Sequence, residues 1–196
     1  MIIRAWHFTD GMKLRDGTPL EAGRLYTVTP PLVMCEKGLH ASVRAIDALH
    51  YAPGSVVSLV ECGGVVEQGD DKLVCSERRV VACADVAREL RLWAADCAET
   101  ALMVSEVEDA RSWRALDVAR DFANGLCTVQ DLDAAWDAAG DAAWAARDAA
   151  RAAAGAAAGG AAWAAAGGAA WAAAGGAERA WQTERLCELL ELRAAQ

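Results

Sequence analysis

Short apolar runs separated by turn-forming residues occupy the first 83 positions of the 196-residue chain. Valine, isoleucine and aromatic residues concentrate in these runs, which is typical of β-strands. Glycine-containing pairs separate the runs and predict turns, among them Asp16-Gly17 and Gly63-Gly64. The pattern predicts four strands, at Ile2–Phe8, Leu25–Thr29, Ser55–Cys62 and Arg79–Cys83.

Helical patterns follow the strand-like region, because all four prolines lie in the first 53 residues and proline is excluded from helix interiors. One short helix is expected earlier, over Val43–Tyr51, with Ser42 as its N-cap. Later, Asp85 precedes Val86–Val104, in which apolar residues recur at steps of three and four. That spacing predicts a longer amphipathic helix capped by Asp85.

Two more helices are expected before residue 152. Asp109 or Ala110 begins the first of them, and Asn124-Gly125 is a common helix-ending pair. The segment Thr128–Asp131 resembles a capping box, in which two side chains satisfy the backbone at a helix start. It therefore predicts the start of the next helix.

The segment Ala152–Ala177 contains only 17 Ala, seven Gly and two Trp. Alanine is the best helix former, but each glycine costs about 1 kcal/mol relative to it. Its uncharged length also suits a membrane span, although it lacks the larger apolar residues that favour insertion. A packed helix, a flexible tail and a membrane segment all stay open, and an amphipathic helix is expected next, over Glu178–Arg193.

Together these patterns predict an α+β fold with a small mixed β N-terminal domain. The expected division is residues 1–83 as the β-rich domain, residues 84–127 as helices packed on it, and residues 128–196 as an Ala-rich helical extension. Much of the 55% hydrophobic content is alanine, which adds little buried surface. One compact core is therefore expected rather than two.

The chain is acidic, with 28 Asp and Glu against 19 Lys and Arg and a net charge of −9. Binding to nucleic acid or to anionic lipid depends on clustered cationic side chains, so neither partner is expected. Asp133, Asp137 and Asp141 line one helix face at steps of four. This row is interpreted as a solvated face, with an acidic docking strip or a metal-binding row as alternatives.

The seven cysteines include no CxxC pair, and the N-terminus lacks the basic-then-apolar run of a secretory signal. Reduced thiols in a cytoplasmic protein are therefore expected. The spacing of Cys35, His40 and Cys62 matches no standard zinc pattern, so neither a metal nor another cofactor is expected.

His7, Ser42 and Glu77 are the candidate catalytic residues. His7 lies in a strand-like run, Ser42 precedes the short helix, and Glu77 precedes a Val-rich strand. The GxSxG pattern of serine hydrolases is missing, as are the glycine patterns of P-loop and Rossmann proteins. Because the three histidines of the chain are equally compatible with unrelated structural positions, whether it is an enzyme stays open.

Six short motifs together resemble an uncharacterised domain family of bacteriophages and actinobacteria, over about residues 4–83. They are WHF at 6–8, LRDG at 14–17, GLHAS at 38–42, DAL at 47–49, YAPG at 51–54 and DKLV at 71–74. The resemblance implies a phage or bacterial accessory protein and supplies no activity. Members usually carry charged Ala-rich tails, whereas glycine replaces the charged positions here.

The order of elements is also similar to ADP-ribosyltransferase-like folds. That resemblance implies that His7 clamps the nicotinamide ribose of NAD, that Ser42 supports the nicotinamide pocket, and that Glu77 stabilises the positive charge formed as nicotinamide leaves. Two positions depart from the pattern: His40-Ala41 replaces the usual hydroxyl residues, and Cys75 stands where a second acid or a glutamine is usual.

The sequence therefore leaves three functions open. The first is a non-enzymatic module of a phage-type accessory protein that binds a host protein or a small ligand, with self-association through its helices. The second is an NAD-using enzyme built on His7, Ser42 and Glu77. The third is a protein weakly associated with membranes through residues 152–177.

Overall fold

The computed structural model describes residues 2–104, 106–141 and 181–188. Its elements in chain order are β1 (Ile3–Thr9), β2 (Leu25–Thr27), β3 (Leu39–Ala41), α1 (Ala45–His50), β4 (Val56–Gln68), β5 (Leu73–Asp85), α2 (Ala87–Val104) and α3 (Ala110–Ala123). Residues 129–141 and 181–188 are also helical. The predicted α+β fold is confirmed. The Ala/Gly/Trp-rich segment 152–177 lies outside the described residues.

The described residues fall into two compact units, residues 2–90 with 183–188 and residues 91–141 with 181–182. The three-part division expected from the sequence stays a prediction. Within the described ranges, no helix combines the length and apolar character needed to cross a membrane.

All strand pairs of the described sheet are antiparallel, in the order β1-β4-β5-β2. The short strand β3 pairs with β5 beyond the end of β2. Just after β3, Ser42 exchanges backbone hydrogen bonds of 2.7 and 2.9 Å with Trp6 of β1. The hydrogen-bonded path therefore returns to its first strand, and the sheet encloses its own core.

That enclosed core combines small and branched apolar side chains from every strand. Alternate residues of a strand share a face, so each strand contributes its inward set. The buried members are Ala5, Leu20, Tyr26, Ala41, Val56, Val60, Cys62, Leu73, Cys75 and Val80. Valine suits such a surface because its branched side chain packs well on a pleated sheet.

The prediction of a turn at Gly63-Gly64 is wrong, because β4 continues through both residues to Gln68. The register between β4 and β5 shifts between Gly63 and Val66, which is a β-bulge. Gly64 has a φ of +67°, and the Val65 N–H donates to the Ser76 hydroxyl at 2.9 Å. Gly64 can adopt this left-handed backbone conformation because it has no Cβ, and the bulge thereby places one extra residue in β4.

Ser42 is not the N-cap of α1, because its backbone pairs with Trp6 instead. The helix begins later, at Ala45, and its N-cap Arg44 makes no side-chain capping bond. The sequence did not predict β3, because its three residues are too few to show a strand pattern.

The predicted starts of three later helices are confirmed by their capping bonds. Asp85 accepts from the Ala87 N–H at 3.0 Å, and Asp109 caps α3 by accepting from the Arg111 N–H at 2.9 Å. Thr128 and Asp131 form the reciprocal bonds of a capping box: the Thr128 N–H donates to Asp131 at 2.8 Å, and the Asp131 N–H donates to the Thr128 hydroxyl at 3.3 Å.

Candidate functional site

The side chain of His7 lies on the core-facing side of β1. His7 pairs with Ser58 of β4, two positions along the strand from the buried Ala5. Burial, followed by the nearby charge of Arg78 and by His40, lowers the pKa of His7 to about 3. The imidazole is therefore neutral at neutral pH, since loss of hydration disfavours its charged form.

Arg78 places a guanidinium inside the same core, with only 3% of the residue exposed. Its Nη1 donates to the His40 carbonyl at 2.6 Å, while Nε has no partner among the described residues. Burial lowers the pKa of Arg78, and the thiols of Cys62 and Cys75 partly offset that effect. An arginine keeps its proton in proteins, so the interior beside His7 is electropositive.

Cys62 and Cys75 are fully buried, and the Cys75 thiol donates to the Leu39 carbonyl at 3.3 Å. The neighbouring Cys75 thiol and burial raise the pKa of Cys62, whereas the Cys62 thiol and the charge of Arg78 lower the pKa of Cys75. Cys35 lies on the surface, away from these core thiols. Across the described ranges, no three His, Cys, Asp or Glu side chains form a group suited to a metal ion.

A second polar group lies on the surface, and we call Cys35, His40, Tyr51, Asp71 and Lys72 the Tyr51 cluster. The Tyr51 hydroxyl donates to Asp71 Oδ2 at 2.5 Å and accepts from Lys72 Nζ at 3.1 Å. The Lys72 ammonium also lies 4.4 Å from the centre of the Tyr51 ring, in a cation–π contact. These bonds connect the residue after α1 with the turn between β4 and β5.

The remaining members, Cys35 and His40, belong to β3 and to the loop that precedes it. The Cys35 N–H donates to His40 Nε2 at 2.9 Å, and the Cys35 thiol interacts with Lys72. Hydrogen bonds with Tyr51 lower the pKa of Asp71 and raise the pKa of Lys72. Burial and the charge of Arg78 lower the pKa of His40. At neutral pH the cluster therefore holds one carboxylate, one ammonium and a neutral imidazole.

An open cleft of about 140 Å³ adjoins the cluster. Asp71 and Lys72 line it, together with Val43, Arg44, Asp47 and residues 68–70 and 73. Arg44 and Asp47 hold one another through two hydrogen bonds of 2.6 and 2.7 Å. The cleft thus combines charged side chains with the apolar residues Val43 and Leu73.

The structure brings two of the three predicted catalytic residues to neighbouring strands. Ser42 pairs with Trp6, the residue before His7, and is buried. Glu77 is exposed on β5, where it pairs with Gly63, five residues along β4 from the partner of His7. Five residues of strand span about 16 Å. Ser42 is therefore paired with Trp6, whose side chain points to the opposite face of β1 from that of His7, and Glu77 lies elsewhere on the sheet.

The sequence patterns gave no prediction of Tyr51, Asp71 or Lys72 as site residues. All three belong to the YAPG and DKLV motifs that were quoted for the family resemblance. Membership in those motifs was the one sequence feature that could have pointed to these residues as a site. Only the folded chain brings residues 51 and 71–72 together.

Comparison with known proteins gives one match. Residues 4–91 match a family described as a domain of unknown function, DUF7666. No curated protein and no solved structure matches the chain. The match agrees with the resemblance to an uncharacterised family and covers all five members of the Tyr51 cluster. The chain thus contains a DUF7666 domain, of unknown function, at residues 4–91.

Proposed function

We propose that residues 2–90 are the binding module of a phage-type accessory protein, and that the Tyr51 cluster with its cleft holds a host protein or a small ligand. One observation carries this proposal. Three motifs that are distant in the sequence, GLHAS, YAPG and DKLV, meet at one surface through His40, Tyr51 and Lys72. Accessible polar and aromatic groups held in place by a rigid sheet are typical of binding sites.

The hydrogen-bonding capacity of the cluster indicates what it binds. A lysine ammonium has three N–H donors, and Lys72 directs one of them to the Tyr51 hydroxyl. Even if a second donor faces the nearby Cys35 thiol, one is left for an acceptor on a ligand, such as a carboxylate, a phosphate or a carbonyl. Tyr51 is 47% exposed, so its ring offers a flat surface beside that donor.

The test is retention of a partner by the immobilised full-length chain from an actinobacterial lysate. Tyr51→Ala combined with Lys72→Ala should abolish retention of a band that the unaltered chain retains. Leu25→Ala is the matched control, because Leu25 is a 43% exposed side chain on β2 of the same unit. Retention that survives the double substitution, or that Leu25→Ala also abolishes, contradicts the proposed site.

The NAD-using enzyme is a second proposal, and it is supported by the pairing of Ser42 with Trp6, which brings the Ser42 backbone beside the residue that precedes His7. Incubation of the chain with NAD, followed by chromatography, measures released nicotinamide. Release that Glu77→Gln abolishes supports this alternative. No release, or release unaffected by Glu77→Gln, removes it and leaves the binding module.

A further inference from the structure

The helix at residues 129–141 carries an exposed face outside the DUF7666 domain. Val129, Asp133 and Trp136 follow one another at steps of four and three, which places them on one side of an α-helix. Trp136 is 75% exposed and Val129 is 48% exposed, and Asp133 and Asp137 beside them are also exposed. We call these four residues the Trp136 face.

The start of this helix is well defined. The Thr128 hydroxyl donates to Asp131 Oδ2 at 2.6 Å, which adds to the two backbone bonds of the capping box. The face therefore lies on an ordered, capped helix. An exposed tryptophan is unusual on such a surface, since tryptophan is highly buried on average. Tryptophan is also enriched among the residues that contribute most to binding energy at interfaces.

The charge around this face is strongly one-sided. Residues 106–141 contain nine acidic side chains and three arginines. Two of those arginines are already paired: Arg111 contacts Asp109 at 2.7 Å, and Arg120 contacts Asp96 and Glu99 at 3.0 and 2.6 Å. Within the described part of the chain, no ion pair involves Asp133 or Asp137. The carboxylates beside Trp136 therefore keep their charge toward solvent.

We propose that the Trp136 face is a docking surface for a Lys- or Arg-rich segment of another protein. A cation stacks on the face of tryptophan more favourably than on any other side chain, and Asp133 and Asp137 flank the ring with the opposite charge. Nucleic acid and anionic lipid share the charge of the face and are repelled by it. A symmetric dimer through the same face is disfavoured, because its two copies would bring like charges together.

The experiment measures binding of a fluorescent arginine-rich peptide to the full-length chain by anisotropy, at low and at physiological salt. Trp136→Ala should weaken binding about threefold, as expected for one exposed cation–π contact. Asp133→Asn combined with Asp137→Asn should weaken it by at least as much. Trp136→Phe should retain part of the affinity, because it keeps an aromatic ring.

Two matched controls separate a specific face from general charge attraction. Glu108→Gln with Asp117→Asn removes two exposed charges elsewhere in residues 106–141, and Leu126→Ala removes a 74% exposed apolar side chain. Both should leave the affinity unchanged. Equal weakening by the charge control, or binding that Trp136→Ala does not alter, overturns the proposal, as does the absence of binding. Helical content by circular dichroism should be the same in every variant.

Discussion

The Arg78 guanidinium donates a 2.6 Å hydrogen bond to the backbone carbonyl of His40, and so connects β5 to β3 inside the core. Burial, and after it the charge of Arg78, lowers the pKa of both His7 and His40, so both imidazoles are neutral at neutral pH. His40 therefore links the polar interior to the Tyr51 cluster. Its carbonyl accepts from the buried Arg78, and its imidazole accepts from Cys35 in the Tyr51 cluster.

Replacing Arg78 should raise the pKa of His7. Arg78→Met removes the second-largest cause of the lowered value and keeps a similar side-chain volume. The pKa should rise from about 3 but stay below 6.5, because burial persists. Titration of the His7 ring protons by NMR measures it. Arg79→Met, an exposed neighbour, is the control and should leave the pKa unchanged. An unchanged pKa in Arg78→Met would contradict the electrostatic contact.

His7 should make the free energy of unfolding fall as the pH is lowered. Its pKa is about 3 in the folded chain and about 6.5 once unfolded, so the unfolded state binds the proton first. The contribution of His7 is complete above pH 6.5 and decreases down to about pH 3, with a slope of up to about 1.4 kcal/mol per pH unit.

Urea unfolding at a series of pH values measures this slope. His7→Gln should remove the His7 component, and the difference between the two curves isolates it from the carboxylates that titrate in the same range. His50→Gln changes an exposed histidine and should retain the slope. Curves for His7→Gln that run parallel to those of the unaltered chain would show that His7 is not buried as a neutral imidazole.

Gly64→Ala should destabilise the sheet more than Gly17→Ala does. Both glycines have a positive φ, of +67° and +86°, so alanine at either site carries the cost of left-handed backbone, about 1 kcal/mol. At Gly64 an added Cβ would also lie 2.1 Å from Ser76 Oγ, whereas nothing lies within 4 Å at Gly17. The Ser76 hydroxyl accepts a hydrogen bond from the Val65 N–H. Moving this hydroxyl away from the added Cβ would therefore break that hydrogen bond.

The expected difference between these two variants is about 1–3 kcal/mol, the usual cost of overpacking. Urea denaturation of both variants measures it. Ser76→Gly combined with Gly64→Ala should recover part of the loss, because the contacting hydroxyl is gone. Equal stability of the two single variants would mean that β4 has no bulge at this position.

Tyr51→Phe should raise the pKa of Asp71. The Tyr51 hydrogen bond is the first cause of the lowered value, and phenylalanine cannot donate it. The pKa should move toward the ordinary value of 3.8 as the hydroxyl is lost. Carboxyl ¹³C NMR measures the change, and Asp109, whose pKa of about 2 depends on Arg111, should not move. A pKa of Asp71 that stays low in Tyr51→Phe would remove the bond on which the cluster is built.

Local sequence signals predicted the elements whose causes are local. Asp85, Asp109 and Thr128 cap the helices that their positions predict, because a cap satisfies backbone groups within three residues of itself. The strongest strand signals, at Ser55–Cys62 and Arg79–Cys83, overlap β4, which begins at Val56, and β5. The predictions failed where a distant segment decided the outcome, as at Ser42, whose backbone pairs with Trp6.

In the candidate site too, sequence signals identified some residues, whereas contacts between distant segments decided the others. His7, Ser42 and Glu77 were selected from the sequence for chemistry, and the structure places His7 partly buried near Arg78, Ser42 buried beside Trp6 and Glu77 exposed on β5. Tyr51 and Lys72 appeared in the sequence only as members of the YAPG and DKLV motifs, with no predicted role. Their contact joins positions 21 residues apart and depends on the β4–β5 hairpin, which carries residue 72 back toward α1.

The sequence by itself determined the α+β class, the capped helices and the acidic character of residues 106–141, because propensity, capping and charge act over a few residues. Only the tertiary structure decided that Gly63-Gly64 is a bulge, that β3 joins β5 to β1, and that His40, Tyr51, Asp71 and Lys72 share one surface. These features depend on strand pairing between distant segments. The free energy of such pairing comes from the shared core, which no single segment encodes.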